Sequence, residues 1–157
     1  MNNIEFSKNL IKGKIAETIF EQMFRENGNF TILRFGFEHT IPELAQYRAS
    51  TFKRVVDDLS DAPDFVLISN KDGEKEVYLI EVKYRAKWGK DEIKKIAEKL
   101  LKRWNPVYLF IASLDGFFFG PCNTIVNKDG EIGHLYDKWA DKETQGKYLK
   151  LLREFEE

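Results

Sequence analysis

The sequence predicts a single α/β domain, residues 1–157, in which a mixed central sheet is flanked by helices. Two apolar, β-branched runs at residues 63–69 and 77–85 flank an Asp-Gly turn signal, which predicts an antiparallel hairpin. A helical pattern separates this hairpin from a third apolar run at residues 107–112. A helix between two such strands implies a crossover connection, so we expect these strands to pair in parallel.

The composition excludes several classes of protein. Hydrophobic residues make up 43% and aromatic residues 14% of the chain, which is typical of a folded domain and not of a disordered one. No stretch reaches the roughly 18 consecutive apolar residues of a membrane span. The first residues also lack a secretory signal pattern. Cys122 is the only cysteine, which excludes an intrachain disulfide and fits a reducing compartment, so we expect a structural thiol and a cytoplasmic location. Because no long apolar stretch is present, we expect no membrane partner.

The charge pattern is compatible with a nucleic-acid partner although the net charge is −1. A neutral sum counts mildly against such a partner, because nucleic-acid-binding domains are often basic. Lysines and arginines nevertheless concentrate in residues 48–54 and 83–103, whereas acids concentrate in residues 57–61 and at the C-terminus. A local basic surface can therefore coexist with the neutral total.

The first helix is predicted over residues 7–27, because apolar residues recur there at steps of three and four. Ser7 is the expected N-cap, and Gly28 is the expected C-terminal signal. Residues 30–38 alternate apolar and polar side chains and predict the first strand of the sheet.

The second half of the chain supplies the other layers. Residues 90–104 predict a helix with one apolar stripe and a lysine-rich opposite side. Further strands are expected to begin at residues 117–119 and 124–126, and a closing helix is expected over residues 139–155.

The hairpin carries charges at one end of an otherwise apolar face. With the Asp-Gly pair as the loop, the register places Val66 opposite Leu79 and Asp64 opposite Glu81, with opposed Cβ atoms about 4.5–5.5 Å apart. Lys83 projects from the same face. Two carboxylates this close repel each other unless a cation or a proton lies between them. An oxygen-bound divalent metal fits this position, and an amine beside it can hold or polarise a water.

These residues bear a resemblance to a known family. Asp64 after a proline, then sixteen residues, then Glu81-Val82-Lys83, resembles the motif of the PD-(D/E)XK nucleases, the restriction-endonuclease-like superfamily. The predicted order of elements over residues 7–112 is similar to the αβββαβ core of that superfamily. The resemblance implies a restriction-endonuclease-like core with C-terminal strands and a helix added.

The resemblance also implies a chemistry. Asp64 and Glu81 would bind Mg²⁺ together with the main-chain carbonyl of Val82, and Mn²⁺ would substitute. Lys83 would orient the attacking water or neutralise developing charge. The implied function is a metal-dependent endonuclease that hydrolyses phosphodiester bonds in DNA and leaves 5′-phosphate and 3′-hydroxyl ends. Many such enzymes act as dimers, so the resemblance allows a homodimer.

Glu17 is a further candidate for the catalytic and metal-binding set. It lies at the border of the apolar arc of the first helix, and Gly13 lies one turn earlier on the same side. The segment from Lys12 to Glu17 resembles a first-helix motif of the superfamily, whose glutamate joins the metal site directly or through water. The alternative is a surface glutamate paired with Lys14 or Lys12.

Basic residues near these motifs are candidates for phosphate contact. Residues 47–54 mix basic and aromatic side chains, which suits contact with nucleic acid but also any exposed segment. By resemblance, the helix after the hairpin flanks the active site, although its lysines also fit a solvated face. The candidate contacts are Lys12, Lys14, Arg48, Lys53, Arg54, Arg85, Lys87 and Lys94.

Two other interpretations stay open. The first keeps the fold without the chemistry and gives a nucleic-acid-binding or scaffolding subunit with a vestigial metal site; the intact set of Asp64, Glu81 and Lys83 argues against it. The second is an unrelated α/β domain with a coincidental hairpin, in which Asp64 and Glu81 would diverge in space.

Overall fold

A computed structural model of the chain describes residues 2–35, 62–70 and 75–156. Its elements in chain order are α1 (Asn3–Asn27), β1 (Phe30–Arg34), β2 (Phe65–Ser69), β3 (Val77–Tyr84), α2 (Lys90–Leu101), β4 (Val107–Ser113), β5 (Gly116–Pro121), α3 (Cys122–Asn127) and α4 (Lys142–Glu156). The predicted class, a mixed sheet flanked by helices, is confirmed.

The described strands form one five-stranded sheet in the order β1-β2-β3-β4-β5. All neighbours are antiparallel except β3 and β4, which pair in parallel. The parallel pairing predicted from the intervening helix is therefore confirmed. The hairpin register is also confirmed, because Val66 pairs with Leu79 and Ile68 pairs with Val77. The Asp72-Gly73 turn itself lies outside the described residues.

Two apolar clusters cover the two faces of the sheet. One joins α1 and α4 to the sheet and centres on aromatic rings: Phe20 lies 5.0 Å from both Phe65 and Phe110, measured between ring centroids. The other packs α2 and α3 against β4 and includes the fully buried Ile93 and Leu109. Since β-strand side chains alternate between faces, Ile80 and Val82 of β3 pack in the first cluster, whereas Leu79 packs against the second.

The start of α1 was predicted one turn too late. The N-cap is Asn2, not Ser7, because the Asn2 side chain accepts from the backbone N–H of Glu5 at 2.8 Å and the Glu5 carboxylate accepts from the Asn2 N–H at 3.2 Å. This reciprocal capping box satisfies two donors at the helix start. The predicted end is confirmed, since Gly28 adopts the left-handed conformation with φ +76°.

The strand predicted at residues 124–126 is wrong, because these residues belong to α3. β-Branched side chains favour strands, but packing overrides this preference. Cys122 and Ile125 lie one helical turn apart and are both buried against the α2 layer. A turn at Asp129 and Gly130, both with positive φ, follows the helix.

Three other boundaries differ from prediction. β1 ends at Arg34, and residues 36–38 of the predicted strand lie outside the described part of the chain. α2 ends at Leu101, not at residue 104. α4 begins at Lys142, where Asp141 caps it by accepting from the Thr144 N–H at 2.8 Å. Within the described ranges, no helix is both long enough and apolar enough to cross a membrane.

Candidate functional site

Asp64 and Glu81 lie side by side, as the sequence predicts. Phe65 pairs with Ile80, so the next residue pair outward along the hairpin is Asp64 and Glu81. The Val82 N–H donates to Asp64 Oδ2 at 2.8 Å, which anchors the carboxylate between Glu81 and Lys83. The Asp64 carbonyl accepts from the Phe35 N–H at 2.9 Å. Asp64 is therefore held by backbone groups on both sides.

The alternation of β3 explains which side chains reach the site. Ile80 and Val82 are buried in the cluster with α1, whereas Leu79 packs toward α2 and α3. Glu81 and Lys83 share the face of Leu79 and are partly buried. Consistent with this placement, burial raises the pKa of the Cys122 thiol in α3 to about 12, and the charge of Glu81 adds to the shift. Cys122 is thus a buried structural thiol, as predicted.

The two carboxylates interact strongly. Burial, a hydrogen bond shared with Glu81 and the negative charge of Glu81 together raise the pKa of Asp64 to about 9. The Val82 N–H and the positive charge of Lys83 oppose this shift but do not cancel it. Without a cation, the pair therefore holds a proton at neutral pH. A divalent cation would replace that proton, so this donor set fits a hard, oxygen-seeking metal.

The carboxylate pair opens into a cleft of about 980 Å³ between α1 and the end of β3. Glu17 and Gly13 lie on the α1 wall, facing Asp64 and the run from Glu81 to Ala86. The cleft thus combines carboxylates and basic side chains within one concave surface. Its full lining is Asn9, Leu10, Lys12, Gly13, Lys14, Glu17, Asp64, Glu81, Val82, Lys83, Tyr84, Arg85 and Ala86.

Glu17 shares the cleft but forms an ion pair of its own. Its carboxylate lies 3.6 Å from the Lys14 ammonium, which is the surface pairing that the sequence also allowed. Among the residues that the structure describes, no group of three or more His, Cys, Asp or Glu side chains is arranged to hold a metal. The candidate ligands that lie together are thus Asp64 and Glu81. Mg²⁺ is commonly held by one or two carboxylates with waters and substrate phosphates completing the shell.

The predicted nucleic-acid contacts divide into three groups. Lys12, Lys14 and Arg85 line the cleft. Lys87 is exposed just beyond the lining, and Lys94 points elsewhere, because its ammonium lies 3.2 Å from the Asp129 carboxylate near α3. Arg48, Lys53 and Arg54 lie outside the described residues.

Two basic residues of the cleft, Arg85 and Lys12, contact acidic neighbours. Arg85 Nε lies 3.1 Å from Glu92 Oε2, and Arg85 Nη1 donates to the Tyr84 carbonyl at 2.7 Å. Lys12 lies 3.3 Å from Glu156 Oε1 and 5.3 Å from the centre of the Tyr84 ring. These contacts fix the directions in which the cations point.

Sequence reasoning did not find Tyr84 and Glu156 as site residues. The Tyr84 hydroxyl donates to Glu156 Oε1 at 2.6 Å, at the edge of the cleft. Tyr84 follows Lys83 directly, and its aromatic hydroxyl was the available signal. Glu156 comes from the far end of the chain, so no local spacing could have indicated it.

Comparison with known proteins adds no family assignment. No protein-family model matches the chain, and a search of curated proteins gave no significant match. We therefore infer function from the residues of the cleft.

Proposed function

We propose that this chain is a metal-dependent nuclease of the PD-(D/E)XK kind that hydrolyses phosphodiester bonds in DNA, acting as an endonuclease. The observation that carries the proposal is the carboxylate pair of Asp64 and Glu81 in a cleft that also holds Lys83; burial, followed by the hydrogen bond and the charge of Glu81, raises the pKa of Asp64 to about 9. Burying two adjacent carboxylates costs free energy unless a cation or a proton lies between them, and such pairs are common at functional sites.

We assign a separate role in metal binding or catalysis to each residue of the site. Asp64 and Glu81, with the Val82 carbonyl, would hold Mg²⁺ or Mn²⁺, and Glu17 would reach the site from α1. When bound, the metal would act as a Lewis acid toward a phosphoryl oxygen and lower the pKa of water. Lys83, on the same face as Glu81, would orient the attacking water or neutralise the charge that develops on the phosphate.

The cleft also suits an anionic polymer. It is open, and Lys12, Lys14 and Arg85 provide three cations along its lining. Phosphate contacts of this kind position a nucleic acid without reading its sequence. They supply most of the salt-dependent part of its affinity.

A second candidate keeps the fold and the nucleic acid but drops the chemistry. It is favoured by one observation: in the described ranges, no third acidic side chain joins Asp64 and Glu81 in a metal-binding group. Such a subunit would bind nucleic acid without cutting it.

Cleavage assays separate the two candidates. Supercoiled plasmid, linear duplex, branched DNA and single strands would each be incubated with the protein in Mg²⁺, Mn²⁺ or EDTA. We expect at least one of these substrates to be cleaved. The cleavage should require metal and should yield 5′-phosphate ends. If the protein binds these DNAs but cuts none of them with either metal, the non-catalytic subunit is the better account.

Gly13 gives a prediction that separates stability from function. A Cβ added at Gly13 meets nothing within 4 Å, so Gly13→Ala should raise the free energy of unfolding by about 0.5–1 kcal/mol through helix propensity. The added methyl projects into the cleft, where it should hinder the approach of a phosphate backbone and raise KM several-fold. Thermal unfolding and steady-state cleavage measure the two effects.

Gly146→Ala is the matched control for this prediction. Gly146 lies inside α4, away from the cleft lining, and an added Cβ there also meets nothing within 4 Å. It should give a similar gain in stability with unchanged cleavage. Equal KM values for the two variants would show that substrate does not approach α1 at Gly13.

A further inference from the structure

One carboxylate oxygen at the edge of the cleft receives two favourable contacts. Glu156 Oε1 accepts a hydrogen bond from the Tyr84 hydroxyl at 2.6 Å and lies 3.3 Å from the Lys12 ammonium. The same ammonium lies 5.3 Å from the centre of the Tyr84 ring. A neutral donor and a cation thus converge on a single anionic oxygen.

This arrangement has the chemistry of an oxyanion site. Hydrogen bonds to ionised groups are shorter and stronger than neutral ones, and a phosphate oxygen accepts them as a carboxylate oxygen does. The Tyr84 hydroxyl already acts as the donor in its bond to Glu156 Oε1. Lys12 adds a charge that suits phosphate as well as carboxylate.

The position of the two donors connects them to the cleft. Lys12 and Tyr84 belong to its lining together with Asp64 and Glu81, whereas Glu156 is the last residue of α4 and does not line it. The carboxylate reaches the site from outside, at a helix end. The Lys12 side chain keeps 37% of its surface exposed and that of Glu156 keeps 19%, so water screens their attraction. A phosphate oxygen would accept the same hydrogen bond from Tyr84 and the same charge from Lys12, so an incoming phosphate can exchange with the Glu156 carboxylate.

We propose that Lys12 and Tyr84 form a phosphate-binding subsite of the cleft, which the Glu156 carboxylate occupies until a backbone phosphate of the nucleic acid displaces it. This inference rests on the proposed function, because it names a contact for the same substrate. The subsite lies on the α1 side of the carboxylate pair and would bind a phosphate other than the one that is cleaved.

Glu156→Gln tests the subsite. The glutamine keeps an oxygen that can accept from Tyr84 but removes the charge that competes for Lys12. We expect a fluorescein-labelled short duplex to bind this variant about three- to ten-fold more tightly at low salt, measured by anisotropy in EDTA so that no cleavage occurs. Glu154→Gln is the matched control, because Glu154 lies on the same helix but lines a different groove, with Lys147 and Lys150. Equal affinities of the two variants would overturn the proposal.

Two further variants show whether the increase in duplex affinity depends on Lys12 and Tyr84. In a Lys12→Met background the effect of Glu156→Gln should vanish. Lys12→Met alone should also make the slope of log K against log salt shallower by about 0.9. Tyr84→Phe should lower affinity several-fold in the Glu156→Gln background. A gain from Glu156→Gln that persists undiminished with Lys12→Met would also contradict the subsite.

Competition distinguishes the sources of the phosphate. Inorganic phosphate and the labelled duplex share the chemistry, but only the duplex can contact the subsite and the rest of the cleft at once. If Glu156→Gln tightens inorganic phosphate binding and leaves duplex binding unchanged, the site takes a free anion and the proposal is wrong. If the duplex gain appears but no substrate is cut with metal, the subsite stands and the nuclease function fails. If metal-dependent cleavage is observed but Glu156→Gln and Glu154→Gln bind the duplex equally, the nuclease function stands and the subsite is wrong.

Discussion

Lys83→Met is expected to lower the kcat of metal-dependent cleavage by about 10²- to 10³-fold, because removing one preorganised donor to a transition-state anion typically costs this much. Methionine retains most of the apolar stem of the partly buried lysine, so the fold should persist. The change removes the ammonium beside Asp64 and Glu81 while leaving both carboxylates in place. Steady-state cleavage with Mg²⁺ gives kcat, and thermal unfolding checks the fold.

Lys142→Met serves as the control for charge. Lys142 is exposed at the start of α4 and does not line the cleft, so its loss changes the net charge equally and should alter kcat less than three-fold, as surface substitutions usually do. If Lys83→Met raises KM while kcat is unchanged, Lys83 binds the substrate and the transition state equally well. It then makes no contribution specific to the chemical step.

Asp64→Asn is expected to abolish cleavage and, in EDTA, to stabilise the fold. The pKa of Asp64 rises from the ordinary 3.8 to about 9 on folding, so between these values the folded state binds more protons than the unfolded state. The proton-linked contribution is therefore complete below about pH 4 and is lost as pH rises toward 9, at up to about 1.4 kcal/mol per pH unit. Asparagine resembles the protonated acid: it can still accept from the Val82 N–H and donate to Glu81.

The measurement is chemical unfolding in EDTA at pH 5 and pH 8. The advantage of Asp64→Asn over wild type should be about 1 kcal/mol at pH 5 and several kcal/mol at pH 8. Asp115→Asn, at an exposed turn residue, should show no such pH-dependent gain. Adding Mg²⁺ should stabilise wild type and not Asp64→Asn. If Asp64→Asn is less stable than wild type at pH 8, the carboxylate pair does not destabilise the metal-free fold.

The sequence predicted that Asp64 and Glu81 lie side by side because the geometry of a hairpin has few degrees of freedom. A two-residue turn and a period of two fix which side chains are opposed, so the neighbouring positions of Asp64 and Glu81 followed from the pattern. The α1 start was missed for an equally physical reason. Residues 2–11 are all exposed although they include Ile4 and Phe6, so burial against the core does not mark the first turn, and the Asn2–Glu5 capping box was the signal for the helix start.

Other features depend on packing that local sequence does not contain. The β-branched residues of α3 form a helix because Cys122 and Ile125 fill a space against α2. The meeting of Glu156 with Tyr84 and Lys12 joins both ends of the chain. Glu17 shows the limit of the motif: the structure brings it to the cleft but pairs it with Lys14.

The bond between the Phe35 N–H and the Asp64 carbonyl has a consequence for how this domain can be varied. It continues the antiparallel pairing of β1 and β2 past Arg34, so that the main chain of Asp64 is tied to β1 while its side chain is tied to β3 through the Val82 N–H. A substitution elsewhere in the described part of the chain that leaves these two bonds intact should therefore leave Asp64 in register with Glu81.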